Sequence, residues 1–475
     1  MNVCLLPRSK PLADAVAAPV LDPALILKYG GNGPRYTSYP TADRFCDAGD
    51  AAAYRHWLGN RHVGGFKRPL GLYVHVPFCD TLCFYCACNK IATRDRAKGA
   101  KYVAYLEREI DLVAGALHGD RRIAKMHWGG GTPTFLAEDD CVRLMDKLRA
   151  AFDFEPDGEY AIEIDPRRAD AARIELLGAL GFNRLSVGVQ DFDPEVQLAV
   201  NRIQSVEQTR SVIDAGRANG FRSINVDLIF GLPRQSVAGF SRTLEQVLEC
   251  DPDRIALYSY AHLPSAFKPQ RRIHEADLPS PAVKLALMTS AIERLARAGY
   301  VHIGMDHFAK PGDELAVAQR QGRLVRDFQG YASGGDCDLI GFGVSAIGKV
   351  GPAYFQNVKG LDDYYRRLDL GELPILRGLQ LTSDDIARRA VIQAIACHFT
   401  LSKESISIAH LLDFDRYFAA ELEDLERLAA DGLVELDGDW IHVTPRGRLV
   451  VRAVCMVFDK YLRSVEHRAQ YSRVM

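Results

Sequence analysis

The sequence predicts an α/β fold built as a partial (β/α)6 barrel, and three observations carry that prediction. Short apolar runs of strand length alternate with amphipathic stretches of helix length six times between residues 72 and 298. The links between them are short, the pattern of parallel strands joined by right-handed crossovers. The cysteine-rich and glycine-rich segments each follow directly on a strand run, where α/β barrels collect their chemistry.

The strand runs are Leu72–Val76, Lys125–Trp128, Tyr160–Ile164, Arg184–Val189, Ser223–Phe230 and Arg254–Tyr258. Helical patterns lie near 101–115, 138–152, 170–180, 205–219, 237–250 and 283–298. Residues 1–65 read as an N-terminal arm, with a turn-rich aromatic stretch from Gly30 to Pro40. Residues 66–350 make the barrel and its extension, and 351–380 a connector with a break around Gly351–Pro374. In 381–475 the pattern predicts a helix over Thr382–Phe399, capped by Thr382 or Ser383, and another over Asp415–Ala430. A hairpin of Leu433–Leu436 and Trp440–Thr444 turns at Asp437-Gly438-Asp439 before a last helix. This mainly helical, winged-helix-like C-terminal domain carries Glu421, Glu423, Asp424 and Glu426, whose charge would repel phosphates. A cover over the active site is the expected role, not nucleic-acid binding.

The 475 residues are 48% hydrophobic and 25% charged, ample for two or three globular domains. A formal net charge of −2 offers no general field to attract nucleic acid. Met1 to Pro19 is broken by Pro7, Arg8, Lys10 and Pro11, unlike a secretion signal. No apolar run approaches the ~20 residues that cross a membrane. The expected location is the cytoplasm, a reducing compartment where thiolates persist.

Four of the eleven cysteines, Cys79, Cys83, Cys86 and Cys88, fall within ten residues, in P-F-C-D-T-L-C-F-Y-C-A-C-N-K. Three thiolates on one short loop can bind three corners of a [4Fe–4S] cube and leave one iron open. A structural zinc site would need four ligands, usually as two pairs, and no second cysteine or histidine pair lies nearby. A cluster that only transfers electrons is the other alternative. The Cys79-x3-Cys83-x2-Cys86 spacing resembles that of the radical S-adenosylmethionine (SAM) enzymes, in which the open iron binds SAM.

Gly129-Gly130-Gly131-Thr132-Pro133 follows the second strand and lacks the GxGxxG pattern of a dinucleotide site. Consecutive glycines allow close approach of a ligand to backbone, although a tight turn also explains them. Glu163, Gln190 and Asp227 interrupt apolar strand runs near their ends. One such residue alone suggests a satisfied structural polar group; three on successive strands suggest a ligand rim. Arg202 is a cation suited to bidentate carboxylate binding, or else a solvated surface arginine.

P-R-Y-T-S-Y-P-T-A, the cysteine loop, H-W-G-G-G-T-P-T, G-F-N-R-L-S-V-G-V-Q-D-F, N-V-D-L-I-F-G-L-P, Y-A-H-L-P, D-F-Q-G-Y and G-F-G-V-S-A-I together resemble one family. It is the oxygen-independent coproporphyrinogen III dehydrogenases of the radical SAM superfamily. The similarity runs from about Tyr29 to Tyr471-Ser472-Arg473-Val474. It implies oxidative decarboxylation of two propionates of coproporphyrinogen III to vinyl groups, giving protoporphyrinogen IX in haem biosynthesis. A 5′-deoxyadenosyl radical would abstract a hydrogen from the propionate β-carbon, and CO2 and one electron would then leave.

The resemblance implies cluster ligation by Cys79, Cys83 and Cys86, with Cys88 matching a fourth cysteine needed for activity but not for ligation. It implies that Tyr73, Tyr85, Gly130, Glu163, Gln190, Arg202 and Asp227 hold a first SAM, with Tyr73 and Cys88 as catalytic candidates. Gly131, Thr132, Ala261, Ile347 and Gln329 match contacts of a second SAM. Tyr85 stands where the family pattern has phenylalanine, a hydroxyl expected to change little. A porphyrinogen tetracarboxylate needs cations, and Arg35, Lys268, Arg271 and Arg272 are candidates unless they are simply solvated. Further expected partners are an unidentified electron donor and acceptor, and the family resemblance implies a monomer. The rival is the related haem chaperone, which has an aromatic residue in place of Cys88 and lacks the Tyr36–Thr41 arm.

Overall fold

In the computed structural model, which describes residues 19–20, 22–47, 50–61 and 68–462, the first barrel strand is Leu70–Val76 (β1). Every residue of it is buried except Tyr73, which is half-buried. Strands buried on both faces belong to parallel sheets, and β1 has parallel neighbours on both sides. The following strands are Arg122–Gly130 (β2), Asp153–Ile164 (β3), Arg184–Gln190 (β4), Ser223–Phe230 (β5) and Arg254–Ser259 (β6). They lie side by side in chain order, all parallel. Helices Ala97–Ala116, Glu138–Ala151, Ala171–Ala179, Val206–Ala218 and Val237–Glu249 form the crossovers between successive strands, the expected (β/α)6 order. A sixth long helix, Pro281–Arg297, follows β6.

The sheet continues beyond β1 in a way the sequence pattern does not announce. Asp338–Phe342 (β7) pairs parallel to β1. Ile347–Val350 (β8), Ala353–Asn357 (β9) and Ile375–Gln380 (β10) add antiparallel strands. The stretch 351–380, expected as a connector, thus supplies two sheet strands and the helix Leu361–Asp369. Both β7 and β9 are buried at all five positions, so neither shows the alternation that marks a half-exposed strand.

Contacts divide the chain into two compact units: Arg44–Ser290 with Asp336–Gln380, and Met1–Asp43 with Ala291–Gly335 and Leu381–Met475. The stretch expected as an arm, 1–65, is divided at Asp43, and 291–335 belongs with the C-terminal residues, because pairing and packing, not chain order, define a unit. In that second unit, Thr382 caps the helix Ser383–His398 through a reciprocal capping box with Asp385. The helix expected over Asp415–Ala430 is two, Phe414–Tyr417 and Ala419–Ala430, preceded by Lys403–His410. The hairpin forms as Val434–Asp437 and Trp440–Val443, with Thr400–Ser402 as a third antiparallel strand. Tyr471–Val474 and nearly all of Met1–Pro19 lie outside the described residues.

Candidate functional site

All three cysteines of the spacing motif follow β1. Cys79 lies in the two-residue strand Phe78–Cys79, which pairs with Ile91–Ala92 and closes the loop between them. Cys83 is buried, Cys79 and Cys86 half-buried, and Cys88 exposed. The loop is held from several sides. Phe84 N donates to Val200 O at 2.9 Å, and Asn201 Nδ2 donates to Leu82 O at 2.8 Å. Lys90 Nζ donates to Cys86 O at 2.8 Å. Phe84 and Tyr85 pack on Val196, Val200, Leu232, Tyr260 and Ile273.

Donors converge on the thiols. Thr132 Oγ1 lies 3.6 Å from Cys79 Sγ, and Arg167 Nη2 and Arg202 Nη1 each lie 3.6 Å from Cys83 Sγ. Hydrogen bonding from Cys88 pulls the Cys86 thiol down to about 6. Among the described residues no three His, Cys, Asp or Glu side chains converge on a single ion. A cube takes one thiolate per iron, so its ligands need not share one ion's coordination sphere.

The glycine run ends β2 beside the loop. Gly130 has φ +118°, and a Cβ there would sit 2.6 Å from the His75 ring. A Cβ on Gly129 would sit 2.6 Å from Glu163 Oε1, and one on Gly131 2.7 Å from the Pro77 carbonyl. Glycine is therefore required by space at all three positions and by backbone conformation at Gly130. Gly130 N donates to Glu163 Oε2 at 3.1 Å, and Gly131 N to Val76 O at 2.8 Å.

Glu163 also meets His127 Nε2 at 3.1 Å. Burial alone would raise its acidity constant, but the His127 and Gly130 contacts outweigh burial and lower it. Asp227 is pushed the other way, to about 6, by burial and by the Glu163 charge. It accepts from Asn225 Nδ2 at 2.8 Å and from Ser186 Oγ at 3.2 Å. Tyr73 is the register partner of His127 on the next strand, and their rings stack with centroids 6.0 Å apart. Its hydroxyl donates to His75 Nδ1 at 3.0 Å, since His75 Nε2 donates to Asn89 O at 2.9 Å. Gln190 ends β4 with φ +71°. A Cβ on Gly188 would sit 3.0 Å from Arg202 Nη2 and 3.1 Å from Gln190 Nε2, so Gly188 leaves room for both side chains.

Arg202 Nη2 donates to Gly188 O at 2.5 Å, while its Nε is buried with no protein partner. Three thiols with donors aimed at them, a glycine cradle and a buried unpartnered guanidinium nitrogen fit a cluster and an anionic ligand beside it. Burial pushes the Tyr85 phenol up, within the field of Arg202 and Cys83, so its hydroxyl stands closer to the loop's chemistry than the sequence suggests. Ala261 follows β6, and Ile347 begins β8. The cysteines and all the expected SAM contacts fall in the barrel unit except Gln329, which lies in the other unit, where its N–H donates to Asp327 Oδ1 at 2.8 Å. Among the expected substrate cations, Lys268, Arg271 and Arg272 are exposed on a single 3-10 turn after β6, with the Arg272 guanidinium 5.2 Å from the Phe84 ring centre. Arg35 belongs to the other unit, where its carbonyl accepts from Arg326 Nε at 3.3 Å.

Sequence reasoning missed His75, His127, Asp165, Arg167 and Gln270. The D-P-R-R string after β3 was a usable signal, being a charged turn at the carboxyl end of a barrel strand. Gln270 had none.

Comparison with known proteins agrees with this geometry. Residues 73–247 match the radical SAM superfamily, and residues 381–450 the HemN C-terminal domain. The chain is 51% identical to the oxygen-independent coproporphyrinogen III oxidase of Pseudomonas aeruginosa over 96% of its own length and 98% of that protein's. It is 48% identical to the Escherichia coli enzyme of the same name over 96% and 98%. The solved structure of coproporphyrinogen III oxidase (HemN) from Escherichia coli, described as a radical SAM enzyme, superposes with a TM-score of 0.88 at 46% identity, covering 94% of this chain and 100% of that one. The chain belongs to the oxygen-independent coproporphyrinogen III oxidase family of radical SAM enzymes.

Proposed function

We propose that this chain carries out the oxygen-independent oxidative decarboxylation of two propionate side chains of coproporphyrinogen III to vinyl groups, yielding protoporphyrinogen IX and two CO2. The observation that carries the reading is the loop holding Cys79, Cys83 and Cys86, set against the glycine run and Glu163, in a chain 51% identical to a coproporphyrinogen III oxidase. Cys79, Cys83 and Cys86 would hold the cluster. When bound, the cluster and SAM supply the 5′-deoxyadenosyl radical.

The chain's own residues then orient and shield. Glu163, held ionised by His127, and the Gly130 backbone face the amino group of a first SAM. Arg202 offers its buried Nε to an anion such as the SAM carboxylate. Tyr73, Tyr85, Gln190 and Asp227 complete that rim. Gly131, Thr132, Ala261, Ile347 and Gln329 hold a second SAM, so that two SAM serve two decarboxylations. Cys88 and Tyr73 act near the reacting groups. Lys268, Arg271, Arg272 and Arg35 pair with substrate carboxylates. The enzyme works as a cytoplasmic monomer with a separate electron donor and acceptor. Among the described residues no helix is long and apolar enough to cross a membrane.

The test is anaerobic turnover of the reconstituted protein with dithionite, SAM and coproporphyrinogen III, with porphyrins and 5′-deoxyadenosine counted by chromatography. Vinyl products with two deoxyadenosines per protoporphyrinogen support the reading. Stable haem binding without decarboxylation sinks it in favour of a chaperone.

A further inference from the structure

A carboxylate and a guanidinium form a fork behind Cys83. Asp165, one residue past the end of β3, caps the 3-10 turn Pro166–Arg168 by accepting Arg167 N at 3.1 Å. Its carboxylate holds the Arg167 guanidinium at 2.9 Å from Nε and 2.7 Å from Nη2. The same Nη2 reaches Cys83 Sγ at 3.6 Å. Arg168, in the same turn, pairs with Asp80 of the cysteine loop at 3.3 Å. Arg202 approaches from the other side, 3.5 Å from Asp165 Oδ1. The Asp165 and Arg167 side chains are only 11% and 13% exposed, so water screens their charges weakly. Neither is among the residues expected to touch SAM.

We infer that Arg167, held by Asp165, sets the reduction potential of the cluster by donating a charge-assisted hydrogen bond to the Cys83 thiolate. The inference rests on Cys83 being a cluster ligand, as proposed above. One-electron reduction adds negative charge to the cluster and its thiolates. A cation donating to a ligand sulfur stabilises that more negative state, so the potential rises. Asp165 opposes the cation it holds. With both arginines charged and Asp165 ionised, the trio carries +1; losing the Arg167 charge leaves 0, and neutralising Asp165 leaves +2. Substitutions at the two ends of one ion pair should therefore move the potential in opposite directions, which a merely structural pair would not do.

The experiment is an anaerobic redox titration of the reconstituted holoenzyme without SAM or substrate, followed by electron paramagnetic resonance, with iron and sulfide assayed in each sample. Arg167→Met should lower the midpoint, cutting the reduced-to-oxidised ratio at the wild-type midpoint about tenfold, which is 59 mV for one electron. Asp165→Asn should raise it. Should Arg167→Met lose its cluster, Arg167→Lys replaces it and should keep a midpoint above that of Arg167→Gln, since lysine retains the charge. Midpoints equal to the wild type, or both substitutions moving the same way, overturn the inference. A Cys83→Ala protein that keeps its full iron would instead undo the ligand assignment beneath it, so the two failures are distinguishable.

Discussion

The carboxamide of Gln270 donates to the backbone carbonyl of Tyr85 at 3.0 Å, bridging residues 185 apart in sequence. The same nitrogen donates to Ala261 O at 3.2 Å, and the oxygen accepts from Leu263 N at 2.6 Å. One buried side chain thus ties the cysteine loop to the segment after β6.

Removing that side chain should loosen both segments together. Gln270→Ala leaves the Tyr85 and Ala261 carbonyls and the Leu263 N–H without this partner, at a cost of about 1–3 kcal/mol for each group left buried and unsatisfied. Faster hydrogen exchange at residues 82–88 and 261–264, with the rest of the barrel unchanged, is the expected result. Unchanged exchange in the cysteine loop would show that the bridge holds nothing in place.

The four clustered cysteines should separate into two classes. Alanine at Cys79, Cys83 or Cys86 should abolish the iron and sulfide content of the reconstituted protein. Cys88→Ala should keep most of its iron and lose porphyrin turnover by at least tenfold. Loss of iron in Cys88→Ala would make it a ligand and change the proposed ligand set.

Gly130→Ala puts a methyl group 2.6 Å from the His75 ring on a backbone with φ +118°. Strain of this kind costs about 1–3 kcal/mol, before any clash is relieved. Calorimetry should show a lower melting temperature, and equilibrium dialysis at least tenfold weaker SAM binding by the reconstituted protein. Wild-type affinity would remove Gly130 from the proposed SAM cradle.

Glu109 gives a pH dependence remote from the cysteines. Its buried carboxyl accepts from Tyr364 Oη at 2.6 Å, Asn357 Nδ2 at 2.6 Å and Gly343 N at 2.8 Å. Burial outweighs these donors and raises its pKa from 4.5 to about 7. A raised folded-state value means stability that is complete below 4.5 and lost as pH rises through about 7. The full span is worth about 3 kcal/mol. In urea unfolding, the advantage of wild type over Glu109→Gln should be largest near pH 5 and shrink by pH 8. An advantage that grows with pH would contradict the assignment.

How much of this was legible in the chain depends on the range of the interaction. Ser223–Phe230 appears as a strand with the bounds its apolar pattern predicts, and Thr382 caps its helix as its spacing with Asp385 implies. The cysteine spacing pointed to a cluster because ligands on one loop are local in sequence. Strand, cap and loop each record an interaction among near neighbours, so periodicity and spacing reveal them.

Other features belong to distance. Asp338–Phe342 joins the sheet beside β1 only because the chain returns there, more than 260 residues later. Gln270 reads as one polar residue in a charged turn until folding buries it against Tyr85 and Ala261. Arg167 reads as a surface cation until Asp165 turns it toward Cys83. The composition of the chain determined that a cluster loop, a glycine cradle and six β/α units would exist. Tertiary structure decided which buried charges and amides face one another, because a polar side chain acquires its partner and its energy only where folding removes the water around it.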